Sequence, residues 1–478
     1  MVSYWKKYRN YIIVFILCCL YLTFFSAFTS PLFPKYVEWD SAIFMLVGKG
    51  IISGKKMYVD IFDHKGPILF LIQSFGMLGG RYLFFFVQSI CMTFTICILR
   101  KISELLYPGN TKMPWVFMAT YGILLAYPLG NGNLSEEYCL PLIMCSIYLA
   151  LKDIYELKIP RYIHCFFYGV FFAIMAFIRI NNAVIVVGII LYWILFLVWK
   201  RQWKLLCVNI ALGLLGFGCV SGTICLYFVQ NHSFKEMIYA TFGFNLLYAT
   251  NSNLFQTINS ISGLARVVLL FLPMLGALLV IWKKIDDKMC QKLYFVIIIL
   301  SAISLSYGQG YKHYFMVVVP ITSVIIGQGL YTERNRVICW ILYGVLTIYL
   351  LFGIRTFYQN IDDYYLNKWV IDQCDTIAES MAKIPQEERG SVIGFDIPAK
   401  YYLFGDILPC YKYGFFQTHW SNDDPEIMNE FLEFIYMESP DWVITEKHFE
   451  NEKLQKVIDD KYCLEEEDSY CNYYRIDK

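Results

Sequence analysis

Apolar runs of membrane-crossing length recur along almost the whole chain, and they constrain the fold more than any other feature. They lie near 11–29, 82–99, 114–129, 138–151, 162–178, 183–199, 205–228, 265–282, 292–306, 314–331 and 337–354. About 18 apolar residues are needed to cross a ~30 Å hydrocarbon core as a helix. In lipid the backbone must satisfy its own polar groups, so each such run reads as a helix. With 58% hydrophobic and 17% charged residues over 478, the bilayer is the solvent for most of the chain. The first run follows Lys6, Lys7 and Arg9 but has no convincing small-residue cleavage site, so it is expected to be a retained helix.

A twelfth run, 67–78, is too short to span comfortably, because twelve helical residues rise about 18 Å. Loop charge decides its placement. With eleven spans and a cytoplasmic N-terminus, 18 of the 28 Lys and Arg before residue 355 fall in inner segments, Lys200, Arg201, Lys204, Lys292 and Arg334 among them. Making 67–78 a true span would move fifteen of those eighteen outward, against the positive-inside rule. The expected segment is therefore interfacial or re-entrant, and the C-terminal tail lies outside.

The net charge of +1 conceals a division. Residues 1–354 hold 28 basic and 13 acidic side chains, a balance of +15, whereas 355–478 hold 12 and 26, a balance of −14. The expected domains are thus a transmembrane one, 1–355, with a first outer loop at 30–81, and a soluble domain, 356–478. In the tail, helices are expected near 365–383, 425–438 and 451–461 and strands at 391–396, 441–445 and 470–476, a small α/β domain. The fold class is an α-helical polytopic membrane protein of about eleven transmembrane helices with a small extracytoplasmic α/β domain. A domain of charge −14 argues against nucleic acid as a partner. The sixteen cysteines show no metal-site spacing, and those before residue 355 read as small core residues; Cys374, Cys410, Cys463 and Cys471 could pair or stay free.

On this topology the chemistry-bearing residues gather in outer loops: Glu38, Asp40, Asp60, Asp63, His64 and Lys65, then Glu136 and Glu137, then Arg179, then His313. The spans are nearly free of ionisable groups, whereas an ion-coupled transporter keeps charges at mid-membrane. A helix is expected at 41–52, stopped by Gly54, with 58–62 extended and Gly66 and Pro67 opening the short segment.

The first loop then shows a specific resemblance. An acidic residue after the first span, followed by Gly54, Tyr58, Asp60, Lys65 and Pro67 in a G-x-x-x-Y-x-D-x-x-x-x-K-x-P pattern, resembles the GT-C class of integral membrane glycosyltransferases. Within it the pattern is most like glycosyltransferase family 39, relatives of dolichyl-phosphate-mannose protein mannosyltransferases and of the aminoarabinose transferase of lipid A. The family often has two prolines where this chain has Gly66 and Pro67, and it varies at Asp63 and His64. The resemblance covers the layout of residues 1–355.

That resemblance implies transfer of a sugar from a polyprenyl-phosphate donor to a glycan, lipid or protein acceptor at the outer face of a bacterial cell membrane, with inversion. Asp40 matches the catalytic base, and a carboxylate beside an acceptor hydroxyl suits that role; the alternative is a helix cap for 41–52. Lys65 matches the family lysine at the donor phosphate, or else it snorkels at the interface. Glu136 or Glu137, about 100° apart on a helix, matches a second acid, with Glu136 favoured; both could instead serve a helix N-terminus. Arg179 matches a phosphate contact or an interfacial anchor. His313 and Tyr314, in the aromatic stretch 310–320, are candidate sugar or lipid-phosphate contacts or belt residues. No metal or other cofactor is implied for this subgroup, although some GT-C enzymes hold a divalent metal through acids. Two other readings stay open: a lipid-linked glycan flippase or transporter, and a polysaccharide polymerase or ligase.

Overall fold

The computed structural model describes residues 2–37, 39–251, 258, 260–307, 310–331 and 336–477, with side chains from residue 9 onward. Glu38 and Arg334 lie outside the described residues. All eleven long apolar runs are helical. Among the described residues, eight stretches are long and apolar enough to cross a membrane: Gly80–Leu106, Glu137–Glu156, Tyr162–Trp199, Trp203–Gln230, Ile261–Lys284, Lys288–Ser306, Lys312–Tyr331 and Arg336–Leu366. The 38-residue stretch Tyr162–Trp199 carries two of the expected runs, because helix Tyr162–Arg179 ends in a tight turn, Ile180–Ala183, before helix Val184–Trp199 begins. Arg9–Phe25 and Met113–Ala126 are shorter apolar helices. The protein is thus a helical, multi-pass membrane protein with a small C-terminal sheet.

The residues divide into two compact units. The first holds Met1–Leu32, Phe84–Tyr227 and Ser252–Gln359, and contains most of the membrane helices. Small residues let its backbones touch. A Cβ on Gly169 would lie 1.9 Å from the carbonyl oxygen of Gly213, and one on Gly216 would lie 2.1 Å from that of Phe166. Helices Tyr162–Arg179 and Trp203–Gln230 therefore pack at a distance only glycine allows.

The second unit holds Phe33–Leu83, Phe228–Asn251 and Asn360–Lys478, so the first loop and a later segment share one unit with the acidic tail. Phe62 shows why. Its ring lies 5.1 Å from Trp420, 5.2 Å from Tyr413, 5.9 Å from Phe244 and 6.2 Å from Tyr239, an aromatic cluster drawn from all three segments. Its backbone N–H donates to the Lys412 carbonyl at 3.0 Å. Lys35 pairs with Asp375, and Lys49 lies 2.7 Å from Asp406.

The sheet has the order β1 (Val392–Phe395), β2 (Trp442–Glu446), β4 (Cys471–Ile476), β3 (Tyr462–Glu467). β1 and β2 run parallel, and the other pairs run antiparallel. All four residues of β1 are buried, as a covered parallel strand requires. The expected tail strands and helices are all present, but β3 was not anticipated. It follows helix Glu452–Lys461 without a break and exposes Cys463, Leu464 and Glu465 at the sheet edge, where charge discourages further pairing. The four tail cysteines are free thiols in this structure.

Candidate active site

The first loop opens with helix Trp39–Ile52, so Asp40 is its second residue and not the residue before it. A carboxylate in a first turn meets the positive end of the helix dipole. Phe44, one turn on, brings its ring to 5.7 Å from the Lys65 ammonium. Gly48 sets this helix against helix Pro67–Met77: a Cβ there would sit 2.8 Å from the Gln73 carbonyl carbon.

Residues 58–62 are not extended as expected. Tyr58 takes a left-handed φ of 68°, its N–H donates to the Ile61 carbonyl at 2.9 Å, and Met57 and Ile61 form a bridge across the turn. Asp60 closes that turn by accepting from the Lys56 N–H at 2.7 Å. The turn drives the Tyr58 ring inward, near Phe70 and Phe228, and its hydroxyl donates to the Lys65 carbonyl at 2.8 Å. Burial pushes the Tyr58 phenol well above its ordinary pKa, so it remains a donor.

Asp63, His64 and Lys65 are all buried. The Asp63 carboxylate accepts from the Lys65 N–H at 2.9 Å, and the Lys65 ammonium lies 2.6 Å from His64 Nε2. An ammonium only donates, so Nε2 accepts, which leaves the ring proton on Nδ1, 3.9 Å from Asp63 Oδ2. Asn245 donates to the His64 carbonyl at 2.6 Å, and Phe244 and Tyr248 flank the ring at 5.3 and 5.9 Å. Asn245 and Tyr248 are not among the sequence candidates; the density of aromatic residues over 234–250 is the signal that points toward them.

A second cluster forms within the membrane unit. Arg179 Nη1 donates to Glu136 Oε1 at 2.8 Å with both side chains buried, and Ser135 Oγ donates to Glu136 Oε2 at 3.0 Å. The guanidinium carbon stands 4.0 Å from the centre of the Tyr314 ring. His313 contacts Tyr314 edge-on at 4.7 Å and stacks on Tyr311 at 5.6 Å. Three of the sequence candidates, Glu136, Arg179 and Tyr314, are therefore in direct contact.

Glu137 is occupied differently. It accepts from the Leu134 N–H at 2.9 Å, as a residue stapling a helix start would, and from Gln88 Nε2 at 2.7 Å. Gln88 lies in a featureless apolar run and left no signal. Among the described residues, no group of three or more His, Cys, Asp and Glu side chains could hold a metal ion.

No family model matches this sequence, and no curated protein sequence does. Solved structures do match. ArnT from Cupriavidus metallidurans, bound to undecaprenyl phosphate, superposes with a TM-score of 0.61 at 13% identity, over 97% of this chain and 98% of its own. An Archaeoglobus fulgidus oligosaccharyltransferase, in complex with zinc and sulfate, matches 93% of this chain and 69% of its own at 12% identity. Its TM-score of 0.35 is too low to carry weight. The likeness to ArnT extends over the tail as well as the membrane helices, and it shows that this chain has the GT-C fold.

Proposed function

We propose that the protein is a glycosyltransferase that moves a sugar from a polyprenyl-phosphate donor to an acceptor at the outer membrane face, with inversion. The observation that carries this reading is a whole-length fold likeness to a protein holding undecaprenyl phosphate. The first-loop residues supply its chemistry. The Asp40 carboxylate takes the proton of the acceptor hydroxyl as that oxygen attacks the anomeric carbon. The bond from that carbon to the phosphate oxygen breaks, and the polyprenyl phosphate departs with the electron pair, so the sugar inverts. Lys65 is the proposed phosphate contact in this loop, because a cation stabilises the charge that develops there.

In the membrane unit, Arg179 is the proposed phosphate-binding residue and Glu136 the second acid. The bond from Arg179 Nη1 to Glu136 is read as holding the guanidinium in orientation. The loop-charge count supports a cytoplasmic N-terminus and an extracytoplasmic tail, and the family resemblance suggests a bacterial cell membrane as the setting. Positions 1–355 and 356–478 are the proposed catalytic and accessory regions, and no metal is assigned a role.

The test is transfer of a labelled sugar from a polyprenyl phosphate by the purified, reconstituted protein. Asp40→Asn should lower the rate by about 10²-fold or more while leaving the unfolding midpoint and donor binding in place. Full transfer by Asp40→Asn would sink the base assignment, and translocation of the lipid without transfer would sink the enzyme reading in favour of a flippase.

A further inference from the structure

A groove of about 630 Å³ lies within the membrane unit between helices Val184–Trp199, Ile261–Lys284 and Lys288–Ser306. None of the residues assigned a role in the proposed chemistry lines it. Its walls are apolar, with Leu195, Phe196, Trp282 and Phe295 among them, and Leu195, Trp282 and Phe295 are all more than half exposed. Exposed large apolar side chains on membrane helices face lipid. At one end stands Trp199, also exposed, at the last residue of its helix. Two ammonium groups converge on its indole, Lys200 Nζ at 4.5 Å and Lys292 Nζ at 5.0 Å from the ring centre.

Two cations drawn to one ring repel each other, and a carboxylate would be the usual remedy. Among the described residues neither lysine has a carboxylate within ion-pair distance. Two acids stand in the adjacent loop: Asp287 caps helix Lys288–Ser306 by accepting from the N–H groups of Met289 and Cys290, and Asp286 is exposed and, among the described residues, makes no ion pair with Lys200 or Lys292. The mouth of the groove therefore combines paired positive charge, an interfacial tryptophan and an apolar channel opening to lipid. Tryptophan marks the level of the headgroups, and basic pockets between membrane helices suit anionic headgroups.

We infer that this groove binds an anionic phospholipid, with its phosphodiester between Lys200 and Lys292 and an acyl chain along Leu195, Phe196 and Phe295. The complementary charge selects the anionic headgroup, and the apolar channel selects a lipid over a free phosphate. By the loop charges this is the cytoplasmic leaflet, so the site is separate from the proposed chemistry.

The test uses the full chain in detergent with two probes of identical acyl chains, phosphatidylglycerol and phosphatidylcholine, read by native mass spectrometry and by the unfolding midpoint. Phosphatidylglycerol should be retained at least about tenfold over phosphatidylcholine and should raise the midpoint. Lys200→Gln with Lys292→Gln should remove that preference, and Lys200→Arg with Lys292→Arg should keep it. Filling the channel with Val296→Trp should weaken retention even with both lysines present. Equal retention of the two lipids by the unaltered protein, an unchanged preference in the double glutamine variant, or undisturbed retention in Val296→Trp would each overturn the inference. So would undecaprenyl phosphate displacing phosphatidylglycerol at equal concentration, since a different lipid would then own the groove. Sugar transfer is not among the readouts, so failure here leaves the proposed activity standing.

Discussion

The contact between Arg179 and Glu136 is the sharpest constraint on individual side chains. A buried guanidinium deprived of its carboxylate, or the reverse, leaves an uncompensated charge. Arg179→Ala should therefore cost about 3–5 kcal/mol, read as a fall in the unfolding midpoint. Replacing both groups, as in Arg179→Met with Glu136→Gln, should recover much of that loss; a double variant as unstable as the sum of the singles would show that the pair is not the cause. Tyr58→Phe should cost about 1 kcal/mol, the net worth of one hydrogen bond, here to the Lys65 carbonyl at 2.8 Å. Protonation gives a further test in the tail. Burial, more than any other cause, raises the Asp396 carboxyl above its ordinary value, and burial with the nearby Asp396 charge does the same for Glu446. A raised folded pKa means that the unfolded chain gives up its proton first. The associated stability is present below the unfolded value of about 4 and is lost as pH rises through the folded one. Fluorescence of the buried Trp420 should report that decline, and Asp396→Asn should flatten it.

At the scale of elements, close packing of helices places the chemistry. Gly48 lets helix Trp39–Ile52, which carries Asp40, lie against helix Pro67–Met77, and the atoms its Cβ would strike are backbone atoms that cannot turn aside. Gly48→Val should cost about 1–3 kcal/mol by overpacking, and, because it displaces the helix bearing Asp40, sugar transfer should fall by more than the stability loss explains. Transfer in proportion to folded protein would mean that the helix position is unimportant. The turn at 58–62 shows how an element can be misread from local pattern. Alternating Tyr58, Asp60 and Phe62 suggests a strand, but the Asp60 carboxylate closes a local turn onto the Lys56 N–H and the Tyr58 N–H bonds within the same turn to Ile61. The strand β3 was hidden for the opposite reason, because a run of glutamates looks like loop until an edge position makes charge acceptable.

Across the whole molecule, the second unit rests on the aromatic cluster around Phe62. Phe62→Ala should cost about 3–5 kcal/mol, and protease susceptibility should rise in the first loop and the tail together; cleavage confined to one of them would separate those segments. Cysteine labels placed on the two sides of 67–78 in a background lacking native cysteines should react from the same face, and opposite-face labelling would break the eleven-span topology. The apolar runs by themselves determined the membrane helices, because a chain in lipid has no alternative to internal hydrogen bonding. The charge reversal near Arg355 marked where the tail begins, and hydrophobic alternation marked most of its sheet. Only the tertiary structure decided that Glu136 meets Arg179 and Gln88 meets Glu137, since contacts across 43 and 49 residues leave no periodic trace in the chain. The same holds for the joining of the first loop to the tail in one unit: aromatic rings bury against whatever apolar surface packing brings to them, and no local pattern states which surface that is.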